Sequence, residues 1–312
     1  MEKEIQIYIG KVCNNLCKFC IDDEPLKDRK FIPPSSIKRT LKEYAKKNYN
    51  VVGFFGGEVT VYPRLEDMIG YASSLGYKRI NLVSNGRRYS DIGFLTRIVN
   101  AGNIRFYFSV HSHQEHLEDH LTSVKGGFRE KIKGLYHLHR LQRAGLIRER
   151  IFLNLVINKL NYRSLPQIIL FYFRNFGIRD FRFRCIRPLG RALHNTGLLN
   201  FRYAALLPHL RRTIRTAERS GININVDGIP YCVLSEINGY QEYVGEFKDG
   251  LGKEKQEIDL SSRSFLPRRN RERGRIKIKS CRKCIYYASC EGPWKYYIKT
   301  FGSEEFKPVR EP

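Results

Sequence analysis

The chain has 312 residues, and 56 Lys and Arg against 31 Asp and Glu give it a formal net charge of +25. A hydrophobic fraction of 42% is enough for a folded core and excludes wholesale disorder. No stretch approaches the ~18 consecutive apolar residues of a membrane-spanning helix. The charged residues 1–4 do not fit a secretory signal, so we expect a cytoplasmic protein that does not bind a membrane.

Short apolar strands alternate with longer helical segments over the first 225 residues. The pattern predicts strands at 5–9, 51–55, 79–83, 104–110, 151–157 and 181–186. Helices are predicted between and after them, at 33–47, 65–75, 91–101, 128–144, 165–176 and 203–220. Six strand–helix units of this kind predict an α/β fold with a parallel sheet covered by helices. Right-handed crossovers allow an open doubly wound sheet or a barrel-like curved sheet, and periodicity does not separate them.

The regular pattern ends near residue 225. Beyond it, Gly, Pro, charge runs and four of the eight cysteines are mixed into short segments. We therefore predict two domains, 1–225 and a small one at 226–312 that a large core does not stabilise. Residues 263–279 carry eight Lys or Arg and one acid, and this segment is predicted to be a mobile loop or linker.

Three cysteines lie in the loop after the first strand, in Cys13-Asn-Asn-Leu-Cys17-Lys-Phe-Cys20. Disulfides are not expected in a reducing compartment. Structural zinc takes four N or S ligands, so three cysteines without a nearby His suit it poorly. A [4Fe–4S] cluster held by three cysteines keeps one iron open for a ligand. Buried or zinc-binding cysteines are the alternative interpretation.

This C-x3-C-x2-C spacing, with the aromatic Phe19 before the last cysteine, resembles the signature of the radical S-adenosylmethionine (radical SAM) superfamily. A second motif lies at the end of the second strand, in Gly56-Gly57-Glu58-Val59-Thr60. It resembles the family's G-G-E-P-T motif, with Val59 in place of Pro. The resemblance implies a partial (β/α)6 TIM-like barrel over about residues 4–225, a [4Fe–4S] cluster and S-adenosylmethionine as cofactors.

Polar residues at strand ends add to the predicted cofactor site. Ser84 and Asn85 end the third strand, Ser109 ends the fourth and Asn154 lies in the fifth. Polar side chains in apolar strands are costly unless they are paired, so we expect these to face a ligand, although each alone also fits a cap or turn. The resemblance implies that the cofactor is contacted by Phe19, Gly56, Gly57, Glu58, Thr60, Ser84, Asn85, Ser109 and Asn154.

A second set of cysteines follows near the carboxyl end, in Cys281-x2-Cys284-x5-Cys290-Glu-Gly. It resembles the SPASM/Twitch extension of many radical SAM enzymes, which holds auxiliary [4Fe–4S] clusters. Cys232 is the predicted fourth ligand, which gives one auxiliary cluster, and zinc on the same four cysteines is the alternative. Cys185, inside an apolar strand, is predicted to be a buried small hydrophobe.

Two groups of basic side chains near the strand ends have open assignments. One of Arg182, Arg184 and Arg187 is a candidate to hold a carboxylate or phosphate, although a solvated face explains two of the three. Four histidines crowd the loop after the fourth strand, and we expect substrate contact or helix capping rather than a metal site. These are His111, His113, His116 and His120.

The resemblance implies an enzyme that reductively cleaves S-adenosylmethionine and abstracts hydrogen from a peptide or small-molecule substrate, with ferredoxin or flavodoxin as electron donor. The high positive charge keeps a radical SAM enzyme that modifies RNA or tRNA as an alternative. A zinc-stabilised nucleic-acid-binding protein is the alternative from another class, and it would need neither an open iron nor Gly-Gly-Glu.

Overall fold

Strands and helices alternate along the chain in a computed structural model that describes residues 2–23, 29–244, 253–260, 264–265 and 274–310. The strands are β1 Glu2–Tyr8, β2 Val51–Phe55, β3 Arg79–Ser84, β4 Ile104–Ser109, β5 Phe152–Ile157, β6 Asp180–Cys185, β7 Asn223–Asp227, β8 Lys253–Asp259 and β9 Ser264–Phe265. The helices are α1 Pro34–Lys46, α2 Leu65–Ser74, α3 Ile92–Ala101, α4 Glu115–Thr122, α5 Gly127–Arg143, α6 Leu165–Phe176, α7 Arg191–His194, α8 Thr196–Leu199, α9 Tyr203–Ser220, α10 Tyr231–Leu234 and α11 Lys295–Phe301.

All of these strands form one sheet, in the order β7-β6-β5-β4-β3-β2-β1-β8-β9. Strands β1 to β7 are parallel neighbours in chain order, so their carboxyl ends lie together along one end of the sheet. The predicted parallel α/β fold is confirmed. The described sheet has nine strands where the sequence predicts six.

One face of the sheet is covered by the helices, and the other is more open. On β5, Leu153, Leu155 and Ile157 are buried, whereas Phe152, Asn154 and Val156 alternate with them and are half-buried. Strand β6 shows the same alternation in its second half. The sequence predicts mostly apolar strands with a few polar residues among them, and on β5 and β6 these polar residues lie on the face opposite the helices, which we call the open face. Polar side chains occupy it because it is only partly covered.

The predicted domain boundary at residue 225 falls inside a strand. β7 extends to Asp227, and β8 pairs in parallel with β1 on the edge opposite β2. The division into 1–225 and 226–312 stays a prediction. In the basic segment 263–279, residue 263 and residues 266–273 lie outside the described residues.

The carboxyl-terminal helix α11 packs on the first turn of α9. The rings of Tyr203 and Tyr297 stack with centroids 4.5 Å apart, and the Tyr203 N–H donates to the Tyr297 hydroxyl at 2.8 Å. Trp294, which precedes α11, is 3% exposed beneath the Arg275 guanidinium. These contacts fix α11 against α9 and hold the residues that precede α11. Within the described ranges, no helix is both long and apolar enough to cross a membrane.

Candidate active site

The loop that carries Cys13, Cys17 and Cys20 is bound by backbone hydrogen bonds on two sides. Gly57 N–H donates to Gly10 O at 2.7 Å, and Glu58 N–H donates to Val12 O at 2.8 Å. On the other side, two amides of the loop donate to the last carbonyls of α4, Leu16 to Thr122 and Lys18 to Leu121. The loop is therefore positioned by the end of β2 and by a helix that the sequence analysis did not predict.

The glycine pair Gly56-Gly57 is required by this contact. Gly56 has φ +155°, and a Cβ there would lie 2.5 Å from Gly10 O. A Cβ on Gly57 would lie 2.3 Å from Val12 O. The resemblance implies that these glycines contact the cofactor, but the space in which their Cβ atoms would lie is filled by the backbone of Gly10, Lys11 and Val12. Any contact between this edge and a cofactor stays a prediction.

Replacing Gly57 with Ala is expected to destabilise the fold, because the new methyl group must push β2 and the cysteine loop apart. Overpacking of this kind costs about 1–3 kcal/mol, and urea unfolding measures it. Gly70→Ala is the matched control, since nothing lies within 4 Å of a Cβ built there. A Gly57→Ala protein as stable as the Gly70→Ala protein would contradict the packing described above.

The three cysteines of the loop influence one another electrostatically. Burial raises the pKa of Cys13 to about 11 and that of Cys17 to about 12, and the charges of the neighbouring cysteines add to this. Metal ligation needs thiolates, and a positively charged centre bound by Cys13 and Cys17 would favour the ionised form of these two thiols. The set fits the predicted [4Fe–4S] cluster. No three His, Cys, Asp or Glu side chains surround a single-ion position in the described chain, and the cysteines of a four-iron cluster bind different irons.

Asn15 lies between two of these cysteines and was not singled out from the sequence. Its side chain is 2% exposed. Its backbone N–H donates to Cys13 Sγ at 3.4 Å, and its Nδ2 lies 3.9 Å from Cys17 Sγ. Arg87 Nη1 holds Asn15 in place by donating to its Oδ1 at 3.0 Å, and Arg87 is paired in turn with Glu130 of α5. Hydrogen bonds to cluster sulfurs influence reduction potential.

Glu58 is the centre of the second predicted group. Its carboxylate is buried and accepts four hydrogen bonds from the chain. The donors are Thr60 N–H at 2.9 Å, Thr60 Oγ1 at 2.6 Å, Ser84 Oγ at 2.6 Å and Asn85 N–H at 2.6 Å. Glu58 thus ties the ends of β2 and β3 together. The structure brings four predicted residues into one cluster, and Glu58 positions the other three.

Phe19 contacts a buried charged network behind the cysteine loop. Its ring packs on His111 with centroids 4.2 Å apart. Burial lowers the pKa of His111 to about 3, so the ring is neutral, and its Nδ1 accepts the Val156 N–H at 3.2 Å. His116 and His120 are exposed on α4. Of the four histidines, His111 is therefore a packing residue.

The buried ion pair Glu118–Lys131 anchors α4 and the strand ends. The two side chains are 0% and 1% exposed. Glu118 Oε2 accepts the N–H groups of His111 and Ser112 at 2.7 and 2.8 Å, and Lys131 Nζ donates to Ser109 O at 3.0 Å. Burial alone raises the pKa of Glu118, but Lys131 and these hydrogen bonds outweigh it and lower the pKa. The sequence analysis missed the pair, although Lys131 lies on the apolar face of α5 at helical spacing from Leu135.

Ser109 and Asn154 are direct neighbours on the open face, because β4 and β5 pair them in register. Asn154 Oδ1 is buried and has no hydrogen-bond partner among the described residues. A buried amide oxygen without a donor is costly, so a ligand with an N–H or O–H group fits here. This supports the prediction that the pair faces a bound molecule.

The four cysteines of the carboxyl-terminal region line one pocket. Cys232, at the start of α10, shares it with Cys281, Cys284 and Cys290. Burial raises the pKa of Cys232 to about 12, and the charges of the other three raise it further, as expected for sulfurs that lie close together. The structure thus brings the four predicted ligands to one place. Cys185 is buried in β6 apart from them, as the sequence analysis expects.

Comparison with known proteins gives one family and two kinds of relative. A profile of the radical SAM superfamily matches residues 7–171. A protein of Saccharolobus islandicus described as a probable GTP 3',8-cyclase is 24% identical over 188 residues, which are 60% of this chain and 58% of that relative. The aligned part therefore spans little more than half of the relative's length.

The structural likeness extends over the whole chain. SuiB of Streptococcus suis bound to S-adenosylmethionine has a TM-score of 0.67 at 17% identity, covering 100% of this chain and 76% of SuiB. SuiB bound to the precursor peptide SuiA gives 0.66 at 19% identity, covering 100% and 75%. With the sheet described above, this confirms the predicted fold, a partial barrel followed by a cysteine-rich region.

Proposed function

This chain belongs to the radical SAM superfamily and is an enzyme, and from that premise we propose that it cleaves S-adenosylmethionine reductively and abstracts hydrogen from a peptide or small-molecule substrate. The observation that carries the proposal is the docking of the three-cysteine loop on Gly57 and Glu58. This contact holds the loop of Cys13, Cys17 and Cys20 beside the ends of β2 and β3, and it supports the proposal that the three cysteines are the cluster ligands. The family's cofactors are a [4Fe–4S] cluster and S-adenosylmethionine.

The residues of the chain have distinct proposed roles. Cys13, Cys17 and Cys20 would hold the cluster, and the predicted cofactor contacts described above would bind S-adenosylmethionine beside it. When bound, the cluster and cofactor supply an electron and the 5′-deoxyadenosyl radical, which is the hard chemistry of the reaction. The chain supplies the fixed geometry: Glu58 orders Ser84 and Asn85, and Asn154 offers a buried acceptor to the ligand.

A second cluster on Cys232, Cys281, Cys284 and Cys290 is proposed, as in the SPASM/Twitch extension. Its support is the shared pocket and the mutual influence of the four sulfurs. Zinc remains the alternative, because four cysteines also suit a structural zinc site.

Protein reconstituted without oxygen is expected to hold about eight iron atoms, the content of two four-iron clusters. The Cys281→Ala/Cys284→Ala/Cys290→Ala variant is expected to keep about four, bound at the other site. Iron, sulfide and zinc analysis checks this. Wild-type protein with about four irons and one zinc would assign zinc to the carboxyl-terminal site.

A peptide is the favoured substrate. The solved structure of SuiB with its precursor peptide SuiA resembles this chain over 100% of this chain's length and 75% of SuiB's. A small molecule is the second candidate, since the curated relative is described as a probable GTP 3',8-cyclase and aligns with 60% of this chain. The proposed electron donor is a ferredoxin or flavodoxin. The proposed compartment is the cytoplasm, where thiols stay reduced.

A uniformly deuterated cell extract, separated into peptide, small-molecule and RNA fractions, tests the substrate class. Loaded enzyme is incubated with each fraction, S-adenosylmethionine and a reductant. We expect deuterium in 5′-deoxyadenosine from the peptide or small-molecule fraction. Label from the RNA fraction alone would favour RNA modification, and no label above the buffer control would contradict hydrogen abstraction from all three classes.

A further inference from the structure

Four polar side chains form a straight row across the open face of the sheet. The register places Ser109 of β4 beside Asn154 of β5, Asn154 beside Arg182 of β6, and Arg182 beside Asn225 of β7. All four are half-buried. We call this set the polar row. Residues paired in register point to the same side of a sheet, so the polar row presents its groups to one volume.

The guanidinium of Arg182 stacks on two aromatic rings and has no acid partner among the residues that the structure describes. It lies over the ring of Tyr107 at 4.6 Å and that of Phe152 at 5.1 Å. Across the ranges that the structure describes, it makes no hydrogen bond or ion pair. A guanidinium stacked on aromatic faces keeps its N–H donors at the edge available for a planar anion.

The other arginines of the open face differ from Arg182 in this respect. Arg79 is paired with Glu2, and Arg105 with Glu149. Arg184 Nη1 lies 3.6 Å from Asp227 Oδ2. Because the fold supplies a carboxylate to these three, the missing partner of Arg182 is a specific feature of its position.

The unpaired amide oxygen of Asn154, next to Arg182, limits which ligands can bind here. Asn154 Oδ1 is buried without a donor, one strand away from Arg182. An anion alone would satisfy the arginine and leave this oxygen unpaired. A ligand that carries an anionic group together with an N–H or O–H group satisfies both.

We propose that Arg182 binds the carboxylate or phosphate of a ligand in the active site, and that a nearby N–H or O–H of the same ligand donates to Asn154. This rests on the proposed function, since it names the chemistry of a molecule bound at that site. We assign this group to the substrate, and binding of the carboxylate of S-adenosylmethionine is the competing outcome of the test. Arg182 is then a specificity-determining residue.

Calorimetric titration of the loaded enzyme tests the proposal without turnover. The probes are S-adenosylmethionine, its decarboxylated analogue, and, with S-adenosylmethionine bound, glutarate and inorganic tripolyphosphate. The variants are Arg182→Gln, which removes the charge, and Arg182→Lys, which keeps the charge but loses the planar fork. Arg215→Gln removes the same charge from the exposed face of α9 and is the control.

Arg182→Gln is expected to weaken binding of glutarate or tripolyphosphate by about ten- to a hundredfold, the effect of losing a charge-assisted hydrogen bond. Arg182→Lys should lose less, and Arg215→Gln should match wild type. A loss with S-adenosylmethionine alone, absent with its decarboxylated analogue, would overturn the proposal, because Arg182 would then bind only the cofactor's carboxylate. A loss with glutarate or tripolyphosphate assigns the substrate.

Equal affinities of wild type and Arg182→Gln for every probe, or equal losses in Arg182→Gln and Arg215→Gln, would overturn the proposal. Thermal unfolding of each variant checks that the fold is retained. Formation of 5′-deoxyadenosine is measured in parallel. Because binding and cleavage are separate readouts, failure of the anion site is distinguishable from failure of the proposed radical chemistry.

Discussion

Replacing Cys13, Cys17 and Cys20 together with Ala is expected to abolish the formation of 5′-deoxyadenosine from S-adenosylmethionine. No other described residue of the loop is a thiolate donor, so the variant cannot hold a cluster beside Gly57 and Glu58. The measurement is chromatography of anaerobic reactions that contain dithionite. Product should fall to the level of a reaction without enzyme.

The Cys281→Ala/Cys284→Ala/Cys290→Ala variant is the matched control, because it also removes three cysteines. The amino-terminal variant should keep about four irons, bound in the carboxyl-terminal region. Product above background in the amino-terminal variant would show that the cleavage site is elsewhere. Loss of all iron would show instead that the two regions do not load independently.

Lys131→Met is expected to destabilise the protein by about 3–5 kcal/mol, the cost of leaving one charge of a buried pair uncompensated. The variant keeps the length of the side chain but leaves Glu118 buried, at 0% exposure, without its cation. The amide donors of His111 and Ser112 remain and do not neutralise the carboxylate. Urea unfolding of the protein as isolated measures the change.

Two further variants separate burial of the charge from loss of a lysine. Lys133→Met changes an exposed lysine on the same helix and should alter stability by no more than about 0.5 kcal/mol. The double variant Lys131→Met/Glu118→Gln should recover much of the loss, because the neutral amide removes the uncompensated charge and its oxygen can still accept the N–H groups of His111 and Ser112. Equal stability of Lys131→Met and Lys133→Met would contradict a structural role for the pair.

The sequence predicts the elements whose signals are local. Cys13, Cys17 and Cys20 are recognisable by spacing, and Gly177 and Gly221 end α6 and α9 in the left-handed conformation that Gly favours. The glycine pair at 56–57 is found for the same reason. The contact that requires glycine at both positions cannot be recognised from the motif, because the carbonyls of Gly10 and Val12 belong to another segment of the chain.

Features that depend on distant segments escape sequence analysis. Glu118 and Lys131 read as ordinary charges of a solvated helix face, and only the packing of α4 on α5 buries both. Strand β8 joins the far edge of β1 across more than two hundred residues, which no local pattern indicates. The polar row is invisible for the same reason, since the register of four strands brings Ser109, Asn154, Arg182 and Asn225 together.

Electron paramagnetic resonance of the reduced Cys281→Ala/Cys284→Ala/Cys290→Ala variant tests the central claim most directly. This variant retains only the cluster proposed for Cys13, Cys17 and Cys20, so its spectrum has a single source. We expect the signal of a reduced [4Fe–4S] cluster, and a change in that signal when S-adenosylmethionine binds to the open iron. A four-iron signal that S-adenosylmethionine leaves unchanged, or reconstituted protein without a four-iron signal, would contradict a cofactor-binding cluster in this loop.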